Sequence, residues 1–534
     1  MTKKEKIKIL GFQTGHDVSY CVLEDGVPIH HEELERFTRE KEPLGDGLRF
    51  GFDSLGNEVE NIKYFTLGNF GMYQPKGIRK WGPRGCYDHN LVRKMKDIIV
   101  KNDGEFFEVG HHLSHAANAF LTSDFDDALI ITIDGGGMES DGTVTAFTIA
   151  EGVNNTVKQL KVYDINDINL GGIWDKVTSK VFNLSIGYPI GNQAGSVMAM
   201  ATMGTPKYLE SFNLKNIDYE KLKTVAAESE KESFNVAASL QKFTENTVKE
   251  YLSHYIEKLK PKNICFSGGV SLNCVMVGKI KQWFSCVENV FCDPVPYDAG
   301  LSLGSARYVW HCVLGNPRIK NKENKTSYLG RQYNKQTVIN CLKNNEIKLS
   351  YNNSSDNEVI NLLADNNIIS VFGGKSESGR RALGNRSILA NPKDEKMKDI
   401  INSKVKHRQW YRPFAPSILA EEVDKWFEEN YDSPYMSFAV KFKESKRKLV
   451  PAVAHYDGTG RLQTVSEDTN SWYYGFIRAW YEKSGVPILL NTSFNDREPI
   501  VETPEHAINC FLRTNIDYLY FYDSKILVSK KEKK

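Results

Sequence analysis

No apolar stretch among the 534 residues approaches the ~18 that a membrane span requires. The longest, residues 128–133 and 368–372, read as buried strands. The nine cysteines (Cys21, Cys86, Cys265, Cys274, Cys286, Cys292, Cys312, Cys341 and Cys510) are odd in number and scattered. None forms a CxxC pair, which argues against a disulfide framework or a zinc ribbon and fits a reducing cytoplasm. Charge of one sign is also lacking, since 69 Lys and Arg against 67 Asp and Glu leave +2 and point to no class of partner. No HExxH is present, so zinc-protease chemistry is unlooked for. Met1-Thr2-Lys3-Lys4-Glu5-Lys6 enters a strand without an apolar segment or cleavage site, so no secretory leader is expected and a cytoplasmic chain is.

The composition, 40% hydrophobic and 25% charged, is that of a globular protein, and its length calls for two domains or three. Ile7-Lys8-Ile9-Leu10-Gly11, Gln13-Thr14-Gly15-His16-Asp17 and residues 18–23 read as strand, Gly-rich turn, strand. The pattern returns at residues 128–133, with a turn at Asp134-Gly135-Gly136-Gly137 and a second strand over 143–149. Two such units predict a duplicated nucleotide-binding architecture whose turns expose N–H groups to phosphate. An amphipathic helix is expected over 234–258, an interdomain linker at the polar run 316–326, and a frayed tail from Ser529.

Five constellations carry chemistry. In Gly110-His111-His112-Leu113-Ser114-His115, the histidines at 111 and 115 share one helical face and can hold one ion. Asp134 and Asp298 add carboxylates, and two imidazoles with two carboxylates suit iron, manganese or zinc better than calcium. The run from Gly374 to Ser387 interleaves Arg380, Arg381 and Arg386 with glycines after a buried strand, an arrangement for bidentate contact with oxyanions. Lys406, Arg408 and Arg412 alternate with Trp410, Tyr411 and Phe414, as pocket-lining residues would. His455-Tyr456-Asp457-Gly458-Thr459-Gly460-Arg461 and Asn491-Thr492-Ser493-Phe494-Asn495 put small polar groups at strand ends, where α/β folds bind ligands.

Over nearly its whole length the chain resembles the NodU/CmcH family of O-carbamoyltransferases, which includes TobZ-type enzymes. The strings that carry the likeness are Gly-x-x-x-Gly-His-Asp, Glu35-Arg36-Phe37-Thr38-Arg39-x-Lys41, His111-x-x-x-His115 and Ser267-Gly268-Gly269-Val270-x-x-Asn273. Arg381-Ala382-Leu383-Gly384-Asn385-Arg386-Ser387, Arg412-Pro413-Phe414-Ala415-Pro416 and Asn491-Thr492-Ser493-Phe494-Asn495 complete it. The resemblance implies an α/β chain: an actin/hexokinase-type, TsaD-like duplicated domain over 1–315, a junction over 316–344, and a YrdC-like domain over 345–534. It implies that carbamoyl phosphate and ATP, with Mg for the ATP, give carbamoyl adenylate and pyrophosphate in the second domain. A metal-assisted step in the first then carbamoylates an acceptor hydroxyl. By motif position Arg381, Arg386, Lys406, Arg412, Arg461, Ser493 and Asn495 would hold carbamoyl phosphate and ATP, with Lys406 and Arg412 catalytic. Gly136, Gly268, Gly269 and Asn273 would meet the adenylate. His111, His115, Asp134 and Asp298 would hold the metal, iron before manganese or zinc, and His16 or Asp17 would take the acceptor proton.

Three departures stand out. Ser196 in Gln193-Ala194-Gly195-Ser196 replaces a family lysine, Arg380 stands where the family has proline, and the stretch after Asn495 is one residue short. The acceptor is legible only as a class, a small molecule or a nucleotide. Between Tyr73 and Lys96, seven cations (Lys76, Arg79, Lys80, Arg84, Arg93, Lys94, Lys96) with Tyr73, Trp81 and Tyr87 suit nucleic acid, or else a basic helix over 91–100 that covers the core. No membrane partner is expected, and oligomeric state is not legible. Competing readings are a threonylcarbamoyl-adenylate-type tRNA-modifying enzyme and a non-catalytic nucleotide-binding module.

Overall fold

A computed structural model describes residues 6–68, 89–185, 191–320 and 322–531. Near-continuous runs of buried Ile, Leu, Val and Phe form the central strands of three sheets, as strands covered on both faces should. The first sheet contains β1 (Lys8–Gln13), β2 (Ser19–Glu24), β3 (Val27–Glu33), β4 (Tyr64–Leu67) and β5 (Glu105–Glu108) in the order β3-β2-β1-β4-β5. The second contains β6 (Asp127–Met138), β7 (Val144–Val153), β8 (Thr156–Asp164), β9 (Asn263–Ser267) and β10 (Asn289–Cys292) in the order β8-β7-β6-β9-β10. In each, the first strand pairs antiparallel with the second and parallel with the fourth. The two sheets thus repeat one topology, the duplication expected of an actin/hexokinase-type unit.

The third sheet is mixed and nine-stranded. Its strands are β11 (Leu349–Asn353), β12 (Ile369–Phe372), β13 (Arg386–Ala390), β14 (Ala415–Leu419), β15 (Phe438–Lys441), β16 (Thr459–Val465), β17 (Ile488–Ser493), β18 (Tyr518–Phe521) and β19 (Ile526–Lys530). They run in the order β11-β19-β18-β12-β13-β17-β14-β16-β15. One face packs Leu389, Leu419 and Leu489 against Tyr473, Phe476 and Trp480 of the helix Ser471–Ser484. The other shares a hydrophobic core with the second sheet, where Ile388, Ile418 and Leu490 join a cluster containing Ile131, Ile264 and Phe266.

Three expectations are revised. The glycines at 135–137 do not form the second unit's turn: β6 runs through them with a register shift between Ile133 and Gly137, and the chain turns at residues 139–143. The run 316–326 is strapped to the second sheet and the helix His111–Thr122, since Arg318 donates to the carbonyls of Phe120 (2.8 Å), Phe125 (2.8 Å) and Asn154 (3.2 Å). Ser529 and Lys530 are not frayed but pair with Ser350 and Leu349, and Lys530 Nζ donates to Ile516 O at 3.0 Å. The helix Glu230–Leu259 matches its expected place, starting where the Ser229 side chain accepts the Glu232 N–H and ending at Lys260, φ +46°.

Arginines, buried at Arg36 and half-buried at Arg39 and Arg331, tie the first sheet to the third. Arg36 donates to the carbonyls of Glu377 and Gly379, Arg39 Nη1 to Ile500 O (2.7 Å), and Arg331 Nε meets Glu32 Oε1 at 2.8 Å. Among the described residues no helix is long and apolar enough to cross a membrane.

Candidate functional site

One end of the site is built on the helix His111–Thr122, where the His112 N–H of the first turn donates to Glu139 Oε1 at 2.6 Å. One helical turn brings the His111 and His115 rings to 4.8 Å between centroids. Only glycine at 137 lets β6 pass them, because a Cβ there would lie 2.0 Å from the His111 ring. Asp134 follows the buried run of β6 and accepts the N–H groups of Gly135 and Gly269. Asp298 starts a helical turn, and its Oδ1 lies 3.5 Å from His115 Nε2 and 3.7 Å from His111 Nε2.

One ligand atom from each of His111, His115, Asp134 and Asp298 falls within 4.8 Å of the others. Both His111 nitrogens and His115 Nε2 are buried without a hydrogen-bond partner, which is the state of ligands prepared for an ion. Two nitrogens and two carboxylate oxygens fit a transition metal. Burial pushes His111 down, whereas Asp134 and Asp298 overcome burial and hold His115 at about 10. Against burial, His115 and His111 hold Asp134 far below the usual carboxylate range.

Beside this group lies the turn after β1. Asp17 occupies the left-handed region (φ +51°), and its two oxygens are divided: Oδ2 is 3.1 Å from His16 Nδ1, and Oδ1 accepts from Arg380 Nη2 at 2.7 Å. Arg380 also reaches Glu42 Oε1 (3.0 Å) and lies 4.4 Å over the Tyr297 ring. Although burial opposes it, Arg380 keeps Asp17 down at about 2, so Asp17 is an ion-pair partner rather than a proton acceptor. His16 Nε2, 3.4 Å from Asp298 Oδ2, is the free edge of the pair, and Asp298 with Asp17 raises the imidazole to about 10.

The other end is a cluster of cations. Between β12 and β13 the chain folds around Glu377, whose Oε1 accepts the N–H groups of Leu383 (2.8 Å), Asn385 (2.8 Å) and Arg386 (3.1 Å). The loop so formed delivers Arg381 to a cavity that Arg412 and Arg461 also line. None of these three guanidinium groups has a hydrogen bond or ion pair with another described residue. Burial and Arg461 lower Arg381 to about 9, and burial lowers Arg412 to about 10. Unpaired buried cations are costly, so such a cluster is built for an anion. Lys406 Nζ donates to Asn495 Oδ1 (2.7 Å), Asn495 O (2.9 Å) and Ser493, which closes this end at the tip of β17.

A single cavity of about 590 Å³ joins the two ends, touching His16, Asp17, Asp134, Asp298, Gly269 and Asn273 as well as Arg381, Lys406, Arg412, Arg461, Ser493 and Asn495. Arg386 is corrected. It is fully buried with its back to the cavity, stacked 3.7 Å over Phe372, and donates to the carbonyls of Gly373 (2.6 Å), Asn385 (3.0 Å), Arg331 (3.0 Å) and Gly374 (3.3 Å). Gly136 and Gly268 are corrected likewise: each has positive φ and packs against protein, Gly136 on Ile165 and Gly268 on the Ile133 backbone. Ser196 faces the core, while Ala194, Gly195, Met198 and Ala199 of its helix line the cavity.

Lys41, Arg380, Arg408 and His455, which lie in the motif strings but carry no individual site role in the sequence, also line the cavity. Of the basic-aromatic stretch, the helix His89–Lys101 buries Val92, Met95 and Ile98 and exposes Arg93, Lys94 and Lys96. Tyr73, Lys76, Arg79, Lys80, Trp81, Arg84 and Tyr87 lie outside the described residues.

Two family models match, Carbamoyltransferase N-terminus over residues 213–307 and Carbamoyltransferase C-terminus over 360–530. An uncharacterised protein of Methanocaldococcus jannaschii is 32% identical over 98% of this chain and 99% of its own. The nodulation protein NolNO of Sinorhizobium fredii is 34% identical over 94% of this chain and 78% of its own. The 3'-hydroxymethylcephem-O-carbamoyltransferase of Amycolatopsis lactamdurans is 24% identical over 91% and 92%.

Proposed function

This chain belongs to the carbamoyltransferase family and is an enzyme that transfers carbamoyl groups; from that premise we propose that it forms carbamoyl adenylate from carbamoyl phosphate and ATP and carbamoylates an acceptor hydroxyl. One observation carries the reading: a single cavity has unpartnered arginines at one end and, at the other, Asp134 and Asp298, the carboxylates of the group they form with the buried His111 and His115. Arg381, Arg412 and Arg461 hold the phosphates of both substrates and take up charge as pyrophosphate leaves. Water cleaves carbamoyl phosphate to carbamate and phosphate, and the carbamate oxygen then attacks the α-phosphorus of ATP and expels pyrophosphate. Enclosure matters because carbamate decomposes in water.

The adenylate then meets the second end without leaving the cavity. Iron, with manganese or zinc as alternatives, would be held by His111, His115, Asp134 and Asp298 and would polarise the carbamoyl carbonyl. As the acceptor oxygen attacks, AMP departs and its phosphate takes the hydroxyl proton, while His16, held as an imidazolium by Asp298 and Asp17, steadies the charge on the leaving group. Arg380 orients His16 through Asp17. In this reading residues 1–315 form the transfer domain and 345–534 the adenylate-forming domain.

The acceptor is a sugar or natural-product hydroxyl, or the hydroxymethyl group of a modified pyrimidine. The relative named for a 3'-hydroxymethylcephem supports a primary hydroxyl. Three unpaired arginines disfavour a non-catalytic module, which would have no reason to carry them. The test is incubation with ATP, labelled carbamoyl phosphate and a panel of acceptors including hydroxymethylcytosine DNA and aminosugars. Pyrophosphate release and an acceptor heavier by one carbamoyl group are expected. Absence of both products overturns the reading.

A further inference from the structure

The arginines at one end of the cavity are donors only. Guanidinium groups donate and never accept, so Arg381, Arg412 and Arg461 can clasp phosphate and carbonyl oxygens but cannot recognise an N–H. Carbamoyl phosphate and acetyl phosphate have the same oxygens and the same shape, and differ by NH₂ against CH₃. Reading that difference requires an acceptor, and the geometry identifies one.

His455 lines the cavity, is 9% exposed, and its Nε2 is buried without a hydrogen-bond partner. Its Nδ1 lies 3.0 Å from Thr459 Oγ1. That hydroxyl has one proton and gives it to Asp457 Oδ1, 2.8 Å away, a carboxylate that can only accept. Thr459 Oγ1 therefore meets His455 as an acceptor, and the ring proton sits on Nδ1. Nε2 is left with a lone pair at the ring's free edge. Burial lowers the imidazole to about 4, so the ring stays neutral at physiological pH. The turn is fixed independently, with the His455 N–H on Thr459 O at 2.7 Å and the Thr459 N–H on Asp457 Oδ1 at 3.0 Å.

We propose that His455 Nε2 accepts a hydrogen bond from the amino group of the carbamoyl donor, making the pocket select carbamoyl over acetyl phosphate. The proposal rests on the arginine end being the carbamoyl phosphate site. A buried acceptor discriminates strongly, since a methyl group in its place leaves the nitrogen unpaired.

The test uses two hydrolysis-resistant probes, phosphonoacetamide (NH₂) and acetonylphosphonate (CH₃), titrated calorimetrically into the full chain. Wild type should prefer the amide by at least about tenfold. His455→Ala should bring the two within about twofold by weakening the amide alone, and His455→Gln, whose amide oxygen accepts, should restore part of the preference. Binding of ATP and of ITP, which lacks the adenine amino group, should be unchanged by either substitution. Equal binding of both probes to wild type overturns the role of His455 while leaving the arginine site intact. Equal weakening of both probes in His455→Ala overturns it too, as does a collapse of the ATP-to-ITP ratio, which would put His455 on the base. Binding of neither probe removes the site itself, and the proposal with it.

Discussion

Arg380 Nη2 and Asp17 Oδ1 lie 2.7 Å apart, so a residue of the loop before β13 holds the turn after β1. The next residue, Arg381, faces the anion pocket. One loop therefore serves both ends of the cavity. Arg380→Ala should leave pyrophosphate release within about twofold while slowing transfer at least ~10-fold, because it loosens His16 but touches no phosphate. Arg380→Lys should recover part of the loss. Parallel assays of pyrophosphate and carbamoylated acceptor distinguish this from general damage.

An alkaline limit on the reaction is expected from Lys41. Burial, with Arg412 and Arg380 nearby, lowers its ammonium to about 8 against the pull of Glu35. A cation lost as pH rises through that value weakens the hold on anionic intermediates. Turnover should therefore fall above about pH 8 and hold below it. Lys41→Arg stays charged and should move the limb upward by more than a unit, read from pH–rate profiles.

Arg386 belongs to stability. Its guanidinium satisfies the carbonyls of Gly373, Gly374, Asn385 and Arg331. Arg386→Met leaves those acceptors unpaired and should cost about 3–5 kcal/mol in urea unfolding. ATP affinity of the folded fraction should be unchanged.

Gly137 sets the metal group. A Cβ there would lie 2.0 Å from the His111 ring, so Gly137→Ala should displace the imidazole. Metal affinity should fall about 10- to 100-fold, by titration with ferrous or zinc ion, with far-UV circular dichroism preserved.

Much of this was legible in the chain. The repeated strand–glycine pattern gave the duplicated sheets, and the four-residue spacing of His111 and His115 gave a shared helical face. Arg386 was misread because composition marks a cationic loop without saying which way each side chain turns. As the first residue of β13, Arg386 points into the protein, whereas Arg381, five residues earlier on the loop, reaches the cavity. Gly136 and Gly268 look like phosphate-binding glycines, yet serve close packing of β6 and the turn after β9. The Arg380–Asp17 contact joins residues 363 positions apart and has no local signature.

Pyrophosphate release in His111→Ala and Arg412→Ala separates the two reactions assigned to the two ends of the cavity. With ATP and labelled carbamoyl phosphate, His111→Ala should release pyrophosphate within about twofold of wild type and accumulate carbamoyl adenylate without carbamoylating any acceptor. Arg412→Ala should lose pyrophosphate release itself. Equal loss of pyrophosphate release in both variants, each still folded, would contradict the division between the two ends.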